Sequence, residues 1–300
     1  MASTKASLSH LERTAAEPRD DGLHMVKITH IRPINETIRL FELQPLTDHI
    51  KFRPGQWLDV YCPGIPEAGG FTITSSAFYP QAPSPSNHRI ELAIQKSPES
   101  PPVAYLWQPI PKIIDSELQI KVGGSFTWPP VSARVKSLKR VVFVAGGVGI
   151  NPLMSMVRFL ADKYRHERKT LGDIARVGFE VRFLYSTKEL EKAVEILFLE
   201  RLAEIFEMFG TEGKLELFLT GSKETSQEGD GSIEVAGHKV SARRRRITDN
   251  DLFEALGPVE TRASTVCYIC GVPGMTDDFV EKARKVEGML EENVLFEKWW

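Results

Sequence analysis

Two rhythms of apolar and polar residues divide the chain. Residues 26–31, 37–43, 57–61, 71–75, 89–95 and 118–122 are short runs with an apolar side chain at roughly every second position, the period of a half-buried strand. Six such runs predict a small antiparallel barrel or sandwich. Prolines at 80, 83, 85, 98, 101 and 102 mark loops on both sides of the fifth run, and one short helix is expected over 102–108.

Past a polar joint at 133–139 the rhythm changes. Val141-Val142-Phe143-Val144-Ala145 is apolar throughout and rich in β-branched residues, which suits a strand covered on both faces of a parallel sheet. A glycine turn and a helix over 152–160 follow, then a strand at 179–185. Apolar positions 190, 194, 197, 198, 202, 205, 206 and 209 fall on one helical face and predict a helix over 190–209. A strand at 215–219, a helix at 249–256, a strand at 265–270, a helix at 275–286 and a last run at 294–300 complete the alternation. Strand and helix in turn, with right-handed crossovers, build an open parallel sheet with helices on both faces. The polar, glycine-containing segment 221–242 reads as a mobile insertion. The expected fold is mixed β and α/β: a flexible N-terminal segment 1–24, an antiparallel β-barrel over 25–135 and a parallel-sheet, Rossmann-like domain over 136–300.

Charge and composition narrow the function. The 300 residues carry 38 basic and 40 acidic side chains, a formal net charge of −2, so the basic bias that nucleic-acid binding needs is missing. Three cysteines, Cys62, Cys267 and Cys270, indicate no disulfide framework and point to a reducing compartment. The longest uncharged stretch, 141–157, falls short of the roughly 18 to 20 apolar residues of a membrane span, and Gly146, Gly147, Gly149, Asn151 and Pro152 interrupt it. No membrane span is expected. Residues 1–24 lack the apolar core of a secretory signal, and Glu12, Glu17, Asp20 and Asp21 fit a mitochondrial presequence badly. A cytoplasmic protein is expected, with a mitochondrial one the alternative.

Candidate chemistry concentrates at a few places. Gly146-Gly147-Val148-Gly149-Ile150-Asn151-Pro152 lies between a buried strand and a helix, the context in which glycines admit a pyrophosphate to the free N–H groups of the helix N-terminus. The alternative is a tight turn without a ligand. Cys267-Tyr268-Ile269-Cys270 has a metal-like spacing, but residues three apart on a strand face opposite ways and no second pair completes a tetrahedral site. No metal site is expected. Cys270-Gly271-Val272-Pro273-Gly274-Met275 falls at the carboxyl end of a parallel strand, where α/β sheets bind ligands; a cysteine acting as a small apolar residue is the alternative. Trp299 and Trp300 either pack into a core or cover a planar ligand. The run Arg243, Arg244, Arg245, Arg246 reads as a solvated loop, with an anion or an acidic partner the alternative.

Taken in order, these pieces resemble the ferredoxin–NADP reductase superfamily over about residues 26–300. Phe52-Arg53-Pro54-Gly55-Gln56-Trp57 resembles its barrel strand entry, 146–152 its nicotinamide pyrophosphate loop, Cys270-Gly271 with Met275 its nicotinamide-side motif, and Glu297-Lys298-Trp299 its aromatic ending. The wording of Gly69-Gly70-Phe71, of His10-Leu11-Glu12-Arg13-Thr14-Ala15 and of the last five residues is closer still to one group within it. The resemblance implies a flavin-binding barrel joined to a nicotinamide-binding domain. It implies a flavin along Gly70, Phe71, Thr72, Ile73, Thr74 and Ser75, with Thr72 near the flavin N5, Phe71 lining the ring, and Val103 and Ala104 offering N–H groups to its phosphate. It implies a nicotinamide nucleotide on Gly146, Gly147, Gly149, Ile150, Asn151, Pro152, Gly271 and Met275, with Cys270 beside the hydride path, Glu297 relaying protons, and Trp299 or Trp300 over the ring. FAD is the expected flavin and FMN the alternative; NADH or NADPH is the expected donor. Two positions depart from the family's pattern. Gly69 stands where an arginine usually pairs with flavin phosphate, and Pro101-Pro102-Val103-Ala104 replaces a glycine- and serine-rich phosphate motif. A plant-type iron–sulfur centre needs four cysteines and the chain has three, so the electron acceptor is expected to be a separate protein or small molecule. A redox sensor with little turnover is the alternative to an enzyme.

Overall fold

A computed structural model describes residues 8–46, 50–78, 89–131, 135–221 and 230–298. The chain divides into two compact units, Met1–Trp128 and Pro129–Trp300.

The first unit is a six-stranded antiparallel sheet with strands β1 (His24–Asn35), β2 (Ile38–Pro45), β3 (Trp57–Tyr61), β4 (Gly69–Thr72), β5 (Ile90–Gln95) and β6 (Glu117–Gly123), in the order β4-β3-β6-β1-β2-β5. Three short helices accompany it: α1 (His10–Arg13), α2 (Pro101–Leu106) and α3 (Ile110–Ile113). The fourth strand ends at Thr72, earlier than the run 71–75 predicts, because the chain changes partner there. Ile73 bridges Leu92, and Thr74 N–H donates to the Glu91 carbonyl at 2.8 Å, joining the two end strands and closing the barrel. Val26, Ile28, Phe41, Leu43, Leu58, Val60, Phe71, Ile73 and Leu92 fill its interior.

Residues 8–24 are seated on this barrel, in contrast to the flexible segment expected over 1–24. Ser9 caps α1 in a reciprocal capping box with Glu12, Gly124 N–H donates to Pro18 O (2.9 Å), and Asp20 N–H to Val122 O (3.0 Å). The His10 side chain is buried against Asp59 and Trp57. These partners are remote in sequence, so the pattern within 1–24 carried no sign of them.

The second unit is a seven-stranded sheet with strands β7 (Arg140–Gly146), β8 (Glu180–Lys188), β9 (Gly213–Thr220), β10 (Asp230–Val235), β11 (His238–Arg243), β12 (Thr265–Gly271) and β13 (Val294–Lys298), in the order β10-β11-β9-β8-β7-β12-β13. Every neighbouring pair is parallel except the β10–β11 hairpin. Helices α4 (Ile150–Leu171), α5 (Leu199–Phe209), α6 (Asp249–Leu256), α7 (Val259–Arg262) and α8 (Pro273–Lys285) connect the strands. The faces can be told apart by alternation. Phe183 meets Phe206 of α5 on one face, where Tyr164 of α4 also meets Phe209 of α5. Leu184 packs with Leu252 of α6 and Phe279 of α8 on the other.

Two expectations are corrected here. The helix predicted over 190–209 begins only at Leu199, because Phe198 has a left-handed φ of 61° and the chain before it makes a 3-10 turn at Ala193–Glu195. The insertion 221–242 holds β10 and most of β11: backbone pairing along 230–243 outweighs its polar composition, and β11 joins the parallel sheet beside β9. Among the described residues no helix is long and apolar enough to cross a membrane.

Candidate nucleotide site

Strand order shows where a ligand can enter the second unit. β8 and β9 lie on one side of β7, whereas β12 lies on the other, so the direction of strand addition reverses between β7 and β12. Open α/β sheets bind ligands outside the carboxyl ends of the strands at such a reversal. The segments singled out from the sequence converge there. Cys270 and Ala145 pair in register, β7 ends one residue later at Gly146, and a 3-10 turn, Gly147–Gly149, leads into α4.

The glycines have different jobs. A Cβ on Gly149 would lie 2.4 Å from the Cys270 carbonyl oxygen, one on Gly146 would lie 2.5 Å from Met275 Sδ, and one on Gly271 would stand 3.2 Å from Gly146 Cα. Only glycine lets the β7 and β12 loops close on each other. Gly147 has a φ of +54° and, among the described residues, nothing within 4 Å of the place its Cβ would occupy; unlike the other open glycines of positive φ, it stands at the strand reversal and at the head of a 22-residue helix. Ile150, Asn151 and Pro152 form the buried first turn, where proline lacks only an N–H that the helix would leave unpaired. The Ile150 N–H is taken up by the 3-10 turn, donating to Gly147 O, and the helix dipole suits this end of α4 to an anion.

Cys270 and Glu297 also pair in register across β12 and β13. Burial pushes the Cys270 thiol well above its ordinary pKa, and the neighbouring Glu297 carboxylate adds to the shift. The thiol is therefore neutral and shapes the wall rather than acting as a nucleophile. Thr276, in the first turn of α8, is fully buried and its hydroxyl has no hydrogen-bond partner among the described residues. Neither hydrophobic spacing nor the Cys270–Met275 motif singled it out. Lys298 pairs with Asp277 at the start of α8. Trp299 and Trp300 lie outside the described residues.

In the barrel the predicted residues are close but already engaged. A Cβ on Gly69 would lie 2.5 Å from the Phe71 ring and 2.9 Å from Pro102 Cβ, so β4 and the head of α2 meet there. Phe71 and Val103 belong to the barrel core. Thr74 Oγ1 donates to Glu91 Oε1 at 2.9 Å, and Ser75 Oγ accepts the Glu91 N–H at 3.1 Å. The Ala104 N–H, expected to meet a phosphate, donates to Ser100 O at 2.8 Å. Gly70 and Thr72 share the opposite face of the strand with Asp59 and Trp57. A Cβ on Gly70 would fall 2.1 Å from the His10 ring.

This face holds a cluster that sequence reasoning missed. His10 Nε2 lies 2.8 Å from Asp59 Oδ1, Arg19 Nε donates to Asp59 Oδ2 at 2.7 Å, and the Arg19 guanidinium lies 4.9 Å from the Trp57 ring centroid. Burial pushes the Asp59 carboxyl upward, but the hydrogen bonds from His10 and Arg19 outweigh it and hold the group below the usual carboxylate range.

A nicotinamide nucleotide fits the second unit: an open glycine, a long helix N-terminus and a buried hydroxyl without a partner among the described residues lie beside one strand crossover. The flavin phosphate fit is poorer, because the barrel groups expected to hold it are engaged within the chain.

A closed antiparallel barrel followed by a parallel sheet that reverses strand order between β7 and β12 is the ferredoxin–NADP reductase-like fold. The fold matches a cytochrome P450 reductase, GcoB, of Amycolatopsis (TM-score 0.64, 16% identity, 94% of this chain and 70% of that one). It also matches a ferredoxin NADP+ reductase of Neisseria gonorrhoeae with bound FAD and NADP (TM-score 0.61, 15% identity, 93% and 99%). In sequence the chain is 32% identical over 297 residues to the oxidoreductase NAD-binding domain-containing protein 1 of Bos taurus, covering 99% of this chain and 87% of that protein. It belongs to the oxidoreductase NAD-binding domain-containing protein 1 family. No family model matches the chain.

Proposed function

We propose that the protein is a flavin-dependent oxidoreductase that takes a hydride from NAD(P)H and passes electrons to a separate protein or small-molecule acceptor. The observation that carries this reading is the open cradle at Gly147, placed where the strand order reverses. In it the Gly147–Gly149 turn and the first turn of α4 hold the pyrophosphate. Gly271 and Met275 line the neighbouring loop and help to exclude water. Cys270 stays a neutral thiol at the strand end, and Glu297 holds a carboxylate beside it. A flavin on the barrel, FAD or FMN, would supply the two-electron acceptor. The resemblance puts both Phe71 and Thr72 at its ring, but Phe71 packs in the barrel core and Thr72 faces the other way beside Trp57, so at most one of them can face the ring.

The test is anaerobic addition of NADH to purified protein reconstituted with FAD or FMN. Bleaching of the visible flavin absorbance is expected. Protein that stays colourless with either flavin overturns the reading. A second reading, a nicotinamide-binding redox sensor with little turnover, is favoured by the engaged state of Thr74, Ser75 and the Ala104 N–H. It requires NADH binding with no flavin retained.

A further inference from the structure

Two basic regions of the second unit differ in how far their charge is met. In the four-arginine run Arg243 and Arg245 pair with Asp251 of α6, and Arg244 pairs with Glu189. The other region lies at the opposite end of the sheet. α4 starts beside the carboxyl end of β7 and, with 22 residues at 1.5 Å each, runs about 33 Å back to the amino edge. The lead-ins to β8, β7 and β12 stand side by side there: Glu180 N–H donates to Lys139 O, and Lys139 N–H to Ser264 O, both at 2.9 Å.

The buried residues of α4 end at Ala161. Beyond it Tyr164 meets Phe209 of α5, and the helix carries on to a tip. Gly172 ends it with a φ of +59°, a 3-10 turn follows, and Ala175 is buried beneath that turn. The Arg176 guanidinium closes the turn by donating to the carbonyls of Asp173 (2.7 Å) and Ala175 (2.8 Å). An ordered turn thus holds Leu171 50% exposed and Ile174 74% exposed.

Charge sets this edge apart as well. Residues 135–139 and 162–176 carry seven basic and three acidic side chains, in a chain whose formal net charge is −2. The three acids are taken up locally, Asp162 by Arg165, Glu167 by Lys163 and Asp173 by Arg168. Lys136, Lys139 and Lys169 are exposed and take no ion pair among the described residues. A helix C-terminus favours cations in its last turn, which accounts for Arg168 and Lys169. It does not account for two lysines on the lead-in to β7, nor for two aliphatic side chains turned to water. Toward β13 the edge becomes acidic, with Glu260, Glu287, Glu291 and Glu292 exposed, so the basic footprint is confined to the β7–β8 side.

Aliphatic side chains at a protruding helix end, flanked by unpaired lysines, have the chemistry of an interfacial contact: the apolar groups enter the acyl boundary and the cations meet anionic headgroups. A folded partner would need a pocket shaped to the tip, whereas a bilayer needs none. We propose that this amino edge docks on an anionic membrane surface, with Leu171 and Ile174 in the interface and Lys136, Lys139 and Lys169 on the headgroups. The glycine turn, at the other end of α4, then faces away from the lipid and stays open.

The test is flotation of the full chain with vesicles of phosphatidylcholine, alone or mixed with phosphatidylserine, at low and at high salt. The unaltered protein is expected to bind the mixed vesicles about tenfold more tightly and to lose that advantage in high salt. Leu171→Ser with Ile174→Ser is expected to weaken binding about tenfold. Lys136→Glu with Lys139→Glu and Lys169→Glu is expected to remove the preference for phosphatidylserine. All of these side chains are exposed, so unchanged melting temperatures should accompany both losses. Val194→Ser, 57% exposed but following β8 at the carboxyl edge, should leave binding as it is. Equal binding to both kinds of vesicle, none to either included, overturns the inference. So does a double serine variant that binds within about twofold of the original. A dimer seen by sedimentation, abolished by the same serines in a protein that ignores vesicles, also overturns it and assigns the edge to a second copy.

Discussion

Two glycine pairs in this protein put the same lack of a side chain to opposite uses. Over Gly69 and Gly70 the vacated space is filled from within the chain, by Phe71 and Pro102 over the first and by His10 over the second. Over Gly146 the space is filled by Met275, but over Gly147 it is left open. A glycine in a sequence therefore marks close approach and leaves open what approaches. The partner is set by elements far along the chain, and only the open position is free for a ligand.

The strongest way to break this contrast is to remove the carboxylate that keeps His10 over Gly70. Asp59→Ala leaves His10 and Arg19 without their shared buried partner, and should cost about 3 kcal/mol in chemical denaturation. Gly149→Ala comes next. Its Cβ meets backbone that cannot rotate away, so a loss of about 1 to 3 kcal/mol is expected from the melting temperature. Gly70→Ala meets a side chain instead, and its expected cost of about 1 kcal/mol is that of displacing His10 from Asp59. In a His10→Ala background the same change should cost little, and additivity of the two would disprove the assignment.

Gly147→Ala sharpens the other half of the comparison. With open space around it the substitution pays only for left-handed backbone, about 1 kcal/mol, yet NADH affinity should fall several-fold in a calorimetric titration. The smallest effect is on acid stability. The Asp59 and Asp251 carboxyls both titrate below the usual carboxylate range; at Asp251 burial opposes the shift and hydrogen bonds from Arg245 and Thr248 overcome it. A depressed carboxyl binds its proton more readily in the unfolded chain. Its contribution is therefore complete above the ordinary value near pH 4 and is lost as pH falls through the folded value. Asp59→Asn should flatten the pH dependence of unfolding in that acid window.

Local pattern revealed the elements whose stabilising partners are local or whose apolar content is extreme. Val141 to Ala145 is apolar on both faces and could only be a covered strand, and all seven residues of β12 are buried as their composition demands. The glycine turn was legible because its geometry depends on adjacent residues. What escaped was set by distance. Phe198 ends a helical pattern through one left-handed residue, the β10–β11 hairpin is held by cross-strand pairing in a polar stretch, and His10 finds Asp59 across 49 positions.

The seating of residues 9–20 also bears on how the chain matures as it leaves the ribosome. Its hydrogen-bond partners are Asp59 and the stretch from Val122 to Ser125. This early segment of the unit is thus completed by some of its last residues. At translation rates of about 5 to 20 residues per second, Glu17, Pro18 and Asp20 must wait on the order of ten seconds for Val122 to Ser125 to emerge. Through that interval the segment that covers Trp57 and Asp59 lacks its anchors at the end of β6. A nascent chain paused before residue 122 should therefore expose a tryptophan that the finished barrel hides.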